Sequence, residues 1–313
     1  MCMYNFRTDL ASERRDLYQK ANKIETQIDG IESEKVDVDE NIVIERVKIT
    51  NENGEKAIGK PVGTYITIDI KKLKIAQEDE IQKASETLTN ELRSLIDIHV
   101  DKKGEILVVG LGNIYVTPDS LGPKVINEID VTRHLINYLP EYVDENTRMV
   151  SAIAPGVLGT TGIETVEILK GIVENINPKL IIVIDALASR SIERISSTIQ
   201  LSDTGIVPGA GVGNTRSEIS QKSLGIPVIA IGIPTVVETA VLVNDSLDLF
   251  ISKLQDEAKS NDYLNKLKEQ DNYEEIKEAL NPKEYNLIVT PKEIDDLIEN
   301  MKDVVARGIN FAF

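Results

Sequence analysis

Apolar residues along this chain follow two rhythms. Residues 106–110 and 180–184 are unbroken, largely β-branched runs, the composition of strands covered by helices on both faces. Residues 150–153 and 228–233 supply two more strands. Elsewhere apolar residues return every three or four positions. Ile81, Ala84, Leu88, Leu92 and Leu95 form a stripe over residues 77–98, and Ile163, Val166, Leu169, Ile172, Val173 and Ile176 form another. A closing helix carries Ile294, Leu297, Ile298, Met301, Val304 and Val305 and is expected to stop near Gly308. A weaker helix is expected over residues 11–23, and another over 244–254. Strands that alternate with helices predict an α/β fold, a three-layer sandwich on a mostly parallel central sheet.

Between residues 41 and 70 the period drops to two, with Ile42, Ile44, Val47 and Ile49, and later Tyr65, Ile66 and Ile68. The intervening Asn51-Glu52-Asn53-Gly54 predicts a hairpin turn, so antiparallel strands should stand beside the main sheet. Pro234-Thr235-Val236-Val237-Glu238 reads as the start of a helix, and residues 189–213 as a long polar connection. Thr161-Gly162-Ile163-Glu164 and Thr290-Pro291-Lys292-Glu293 are spelled as capping boxes. The charge-dense residues 257–284 read as a peripheral helix or excursion.

Chemistry is expected where strands end, because ligands of open α/β sheets bind beyond the carboxyl ends of the strands. The first strand breaks into Gly110-Leu111-Gly112-Asn113, and Thr117-Pro118 then opens a helical turn holding Asp119. The run 180–184 leads straight into Asp185. On the residues alone two readings stand open: both aspartates are caps, or they form an acid/base pair in which one keeps its proton. Glu164 has a structural role in its capping box, yet its loop should lie at the same edge. The glycines of Pro208-Gly209-Ala210-Gly211-Val212-Gly213 could cradle an anion, but no nucleotide-binding pattern accompanies them.

Composition narrows this further. Asp and Glu number 52 against 35 Lys and Arg, a net charge of −17 that argues against direct nucleic-acid binding. With a single cysteine, Cys2, and two histidines, a disulfide framework, a cysteine nucleophile and a metal cluster are all disfavoured, so neither metal nor cofactor is expected. His134 belongs on a helix face. No leader peptide or bilayer-spanning run is evident, and a cytoplasmic protein without membrane contact is expected.

The motifs VTPDSLGP at residues 116–123, SAIAPGVLGTTGIET at 151–165, IDALASRSIERISSTIQLSDTGIVPGAGVGN from Ile184, and LGIPVIAIGIPTVV from Leu224 closely resemble the germination protease family. The resemblance runs in order from Arg7 to the end of the chain. It implies a fold like that of hydrogenase maturation proteases and an endopeptidase that degrades small acid-soluble spore proteins during germination. It also implies a homotetramer in the spore core. The family's two essential aspartates fall on Asp119 and Asp185.

Thr8-Asp9-Leu10-Ala11-Ser12-Glu13 resembles the family's substrate cleavage sequence. This implies an inactive zymogen that cuts itself at Asp9-Leu10, with residues 1–9 as propeptide and 10–313 as one catalytic domain. An acidic residue before the cut needs a cationic pocket, for which Arg190, Arg194 and Arg216 are candidates. The chain departs from the family pattern at Ala210, where the family often has Ser, and in a shorter charged segment at 257–284. The competing classes are a small-molecule hydrolase or phosphorylase on the same scaffold, and an interaction protein without catalysis.

Overall fold

The computed structural model describes residues 8–24, 27–71, 73, 77–101, 103–209, 216–257, 273–280 and 287–313. The apolar runs are the strands β4 (Ile106–Gly110), β5 (Val150–Ile153), β6 (Leu180–Ser189) and β8 (Val228–Glu238). They lie side by side in the order β8-β6-β4-β5, and each neighbouring pair is parallel. The antiparallel strands β7 (Thr198–Ser202), β3 (Gly63–Ile70), β2 (Ile42–Ile49) and β1 (Ile31–Asp37) continue the sheet beyond β8. A short β9 (Ile288–Val289) pairs with the end of β8.

Strand parity sorts the core into two sides. Ile106, Val108, Ile182, Ile184, Ile229 and Ile231 face one layer, built from α3 (Glu78–His99), α4 (Leu121–Ile126) and the closing helix, numbered α11 below. Leu107, Val109, Ile181 and Val183 face α7 (Thr165–Ile176) and α8 (Gln221–Leu224) on the other side. On that second side, α1 (Ala11–Asn22) and α2 (Glu52–Ile58) cover the antiparallel strands through Val47, Ile49, Ile58 and Tyr65. Burying each of these Leu or Ile side chains contributes about 1.5–3 kcal/mol, so the register of the strands is strongly fixed. The remaining helices, α5 (Arg133–Tyr138), α6 (Leu158–Thr161), α9 (Thr239–Glu257), α10 (Tyr273–Leu280) and α11 (Ile294–Ala312), complete the connections. No helix among the described residues is long and apolar enough to cross a membrane.

Several local expectations are corrected. β2 and β3 do pair antiparallel, but no tight turn joins them. Asn51 caps α2 instead, its side chain accepting from Asn53 N at 2.9 Å and Gly54 N at 3.1 Å. The polar connection after residue 189 contains β7. Residues 234–238 extend β8 and do not begin a helix. Pro234 is tolerated there because pairing with β7 has ended at Gly232 and a register shift follows Leu187 on the β6 side. Glu164, not Thr161, occupies the N-cap of α7, and its backbone N–H donates to Glu167 at 3.3 Å. The Thr290 hydroxyl donates to Thr235 O at 3.0 Å, so it does not box the start of α11. Most of 257–284 and residues 210–215 lie outside the described residues.

Gly308 does not end its helix; it lies where α11 crosses α3. A Cβ there would sit 2.6 Å from Leu88 Cδ2, and the Thr89 hydroxyl donates to Gly308 O at 3.1 Å. Gly308→Val should therefore lower stability by about 1–3 kcal/mol through overpacking. The urea midpoint reads this directly, and an unchanged midpoint would mean that the two helices spread without cost.

Candidate active site

β6 outruns its neighbour β4. Their ladder ends at Gly110 opposite Ile184, where Leu111 N still donates to Ile184 O at 2.8 Å, and Asp185 is the next residue. The sheet thus opens on one side of β6 while the other side stays paired to β8. Asp185 is consequently a residue inside a strand, not one that follows it. It points to the side of α7 and is only 5% exposed.

The chain leaving β4 turns back over this opening. Gly112 has φ +114°, and a Cβ on it would lie 2.0 Å from the carbonyl oxygen of Asp119. Asp119 closes a 3₁₀ turn, Thr117–Asp119, with Thr117 inside the turn and not at its cap. Its carboxylate accepts from Asn113 N at 2.8 Å. Asp119 and Asp185 both line a cleft of about 250 Å³, together with Asp9, Gly112, Thr165 and Arg216.

Burial pushes both carboxyls above the ordinary carboxylate range. For Asp119 the rise is opposed by the Asn113 N–H and by the charge of Arg216. Asp185 is pushed well above it, first by burial and then by the charges of Asp119 and Asp9, against the Ala186 N–H and Arg216. The two groups are therefore unequal: Asp185 holds its proton more tightly. Among the described residues no group of three or more His, Cys, Asp or Glu gathers as a metal-binding set.

Asp9 lines the same cleft. Asp9 N donates to Ala188 O at 3.0 Å, and Ala188 N donates to the Asp9 carboxylate at 3.0 Å. The Gln200 carboxamide spans the next bonds, donating to Asp9 O at 3.2 Å and accepting from Ala11 N at 2.7 Å. Leu10 is fully buried and holds the N-cap position of α1. On the far side of Asp9 a second cleft of about 220 Å³ carries Arg14, Lys60 and Tyr65. Arg14 donates to Thr8 O at 2.8 Å, and burial with the charge of Arg14 pushes Lys60 down to about 8, against the pull of Asp9.

The predicted cations divide. Arg216 lines the cleft. The Arg190 side chain pairs with Asp245 of α9, and that of Arg194 with Glu13 at 3.4 Å and Asp69 at 3.3 Å, so of the two side chains it is Arg194 that holds residues 8–13. Glu164 caps α7, and it is the adjacent Thr165 that reaches the cleft. His134 is exposed on α5. Gln200, Arg14 and Lys60 do not stand out in the sequence. The one available signal is the alternation Thr198-Ile199-Gln200-Leu201-Ser202, which marks a strand with a polar face.

A family model described as germination protease matches residues 8–267 and 261–313. A germination protease of Clostridium perfringens (strain ATCC 13124) is 48% identical over 314 residues, covering 99% of this chain and 95% of that one. The chain is also similar to that of Caldanaerobacter subterraneus subsp. tengcongensis, at 49% over 310 residues with 98% and 93% covered. A third, from Geobacillus sp. (strain WCH70), is 44% identical over 265 residues, with 83% and 71% covered. Among solved structures, a NiFe hydrogenase maturation protease of Thermococcus kodakarensis KOD1 is similar at 17% identity and a TM-score of 0.30, over 46% of this chain and 80% of that chain. The architecture described above rests on strand order and not on that distant likeness.

Two outcomes follow from the geometry. Gly112→Ala should leave the fold intact but displace Asp119, cutting turnover by about 100-fold, the scale of an ångström-sized misplacement. Circular dichroism beside kinetics separates this from unfolding, and full turnover would remove the geometric constraint. Asp185→Asn should raise the melting temperature at neutral pH. A carboxyl whose pKa is raised on folding favours the fold while protonated, below its unfolded pKa, and weakens it as pH climbs through the folded pKa. The gain should shrink towards about pH 3, below the ordinary Asp value; a pH-independent difference would contradict the assigned burial cost.

Proposed function

The chain belongs to the germination protease family, and from that premise we propose that Asp119 and Asp185 are its catalytic pair. We infer further that it is made as a zymogen which cuts itself between Asp9 and Leu10. The processed enzyme then begins the degradation of small acid-soluble spore proteins at germination. One observation carries this reading: Asp9, the residue before the proposed cut, lines the same cleft as both carboxylates and is paired to the backbone of Ala188.

The unequal surroundings of the two carboxyls suggest their roles. Asp119, the less raised, takes a proton from water as the water oxygen attacks the Asp9 carbonyl carbon. The carbonyl oxygen becomes an oxyanion. Asp185 gives its proton to the Leu10 nitrogen as the carbon–nitrogen bond breaks, and the proton held by Asp119 passes to Asp185 to reset the pair. Products are a carboxyl on Asp9 and an amine on Leu10. Because Asp185 must be protonated and Asp119 ionised, activity falls as pH rises through the raised pKa of the first. It falls again as pH drops through that of the second.

Recognition of an acidic residue before the cut is supported at the same place. The Asp9 carboxylate has the Ala188 N–H, and the charges of Arg14 and Lys60 act on it across the second cleft. These groups, with Arg216 on the catalytic side, are better suited to the role than Arg190 or Arg194. The reading carries with it a homotetramer in the spore core that meets its substrates as proteins, with no nucleic acid or membrane.

Mass spectrometry of the purified full chain tests the core of this. Wild type should lose residues 1–9 and cleave a purified spore protein, whereas Asp119→Asn and Asp185→Asn should each lose about 10²–10⁴ in rate, the range for a positioned acid or base. Cleavage persisting in both variants would move the active site elsewhere.

A further inference from the structure

Gln200 stands in one transverse row with Asp185. In the ladders it pairs with Gly232 on β8 and Thr67 on β3, and Gly232 in turn pairs with Asp185 on β6. Directly paired residues point to the same face of a sheet, so Thr67, Gln200 and Asp185 project towards the layer in which residues 8–12 lie. Gly232, between the two, adds no side chain, and its open position is filled by Leu187, whose Cδ1 would meet a Cβ there at 2.3 Å. A row with polar side chains thus crosses this face beneath residues 9–11. Its glutamine is only 6% exposed.

The hydrogen bonds of Gln200 bracket that peptide. Oε1 accepts from Ala11 N at 2.7 Å, and Nε2 donates to Asp9 O at 3.2 Å. Both contacts are satisfied by one orientation of the carboxamide: reversing it would set an NH₂ against an N–H and an oxygen against a carbonyl. The Ala11 contact therefore fixes the donor on the Asp9 carbonyl. That carbonyl belongs to the bond cut in the reading above. Its oxygen gains a full charge when water adds, and a preorganised N–H in a buried site stabilises that charge more than it stabilises the neutral carbonyl.

We propose that Gln200 is a further catalytic residue, the donor to the oxyanion formed at the residue preceding the cut, in self-cleavage and in cleavage of substrates alike. This rests on the Asp119/Asp185 reading. It adds a third group with its own role: the aspartates move protons, and Gln200 holds the oxygen that takes the negative charge. An acidic side chain at position 200 could still accept from Ala11 N, but it would turn a second oxygen on the carbonyl.

The test uses the full chain as wild type, Gln200→Glu, Gln200→Asn, Asp119→Asn and Asp185→Asn, with circular dichroism to confirm folding. Mass spectrometry reads the rate of self-cleavage. For the wild type and the Gln200 variants, kcat and KM are then measured on a synthetic peptide copying residues 7–14, with the processed chains as enzyme. Gln200→Glu should lower kcat about 10²–10³-fold with a much smaller change in KM, the scale of losing one oxyanion donor. Gln200→Asn keeps the carboxamide on a shorter stem and its kcat should fall between the two, again with a much smaller change in KM. A raised KM with unchanged kcat would make Gln200 a peptide clamp and overturn the proposal, as would slowed self-cleavage with normal peptide turnover. Inactive aspartate variants beside a fully active Gln200→Glu would overturn this inference alone. Active aspartate variants would overturn the reading beneath it.

Discussion

The site depends on a carboxyl held inside a strand at the point where one side of the sheet has ended. Asp185 follows five apolar residues whose register is set by burial on both faces, so it cannot slide into solvent without moving that whole core. β8 stays paired along its other side, which keeps Asp185 from relaxing outward. Burial, and the charges of Asp119 and Asp9, then make its ionised form costly. The fold thus favours the protonated form of this aspartate and loses stability where the group must ionise.

Around that constraint the other parts find their places. Gly112 lets the chain leaving β4 return closely enough to set Asp119 against the same cleft. The close approach of Gly110 to Gly122, where an added Cβ would lie 2.2 Å from a carbonyl oxygen, seats α4 beneath the same loop. The N-terminal segment is fastened from both ends: Glu13 receives Arg190 N and Arg194, while Arg14 holds Thr8 O and Gly59 O. These contacts make the geometry at Asp9-Leu10 a property of the fold and not of a loose tail.

Much of this is legible in the sequence because it rests on periodicity. The buried strands, the stripes of α3, α7 and α11 and both aspartates follow from unbroken apolar runs and 3.6-residue spacing. What escapes depends on contacts distant in sequence. Asn51-Gly54 has the spelling of a turn, but a helix cap uses the same residues. Pro234 looks like a helix start until the bulge beside it is known. Gly308 reads as a stop because nothing local reveals Leu88 against it. Gln200 acquires meaning only through Asp9, on the other side of 191 residues of chain. Arg190 and Arg194 carry charge near the right edge, yet the acidic residues that neutralise them come from other elements.

The segment held in the cleft also bears on how such a site could be released. In the intact chain the amide between Asp9 and Leu10 is neutral, and the Asp9 side chain already adds to the charge felt by Asp185. Hydrolysis would put a further carboxylate beside Asp119 and Asp185 in a buried setting, where like charges repel strongly. It would also create an ammonium on Leu10 at the N-terminus of α1, the end of a helix that disfavours positive charge. Both new charges weaken the hold on the cut ends, while the Gln200 contacts to Asp9 O and Ala11 N no longer belong to one continuous peptide. If the chain cuts itself as proposed, the bond that makes the segment a good occupant of the site would, once broken, make it a poor one.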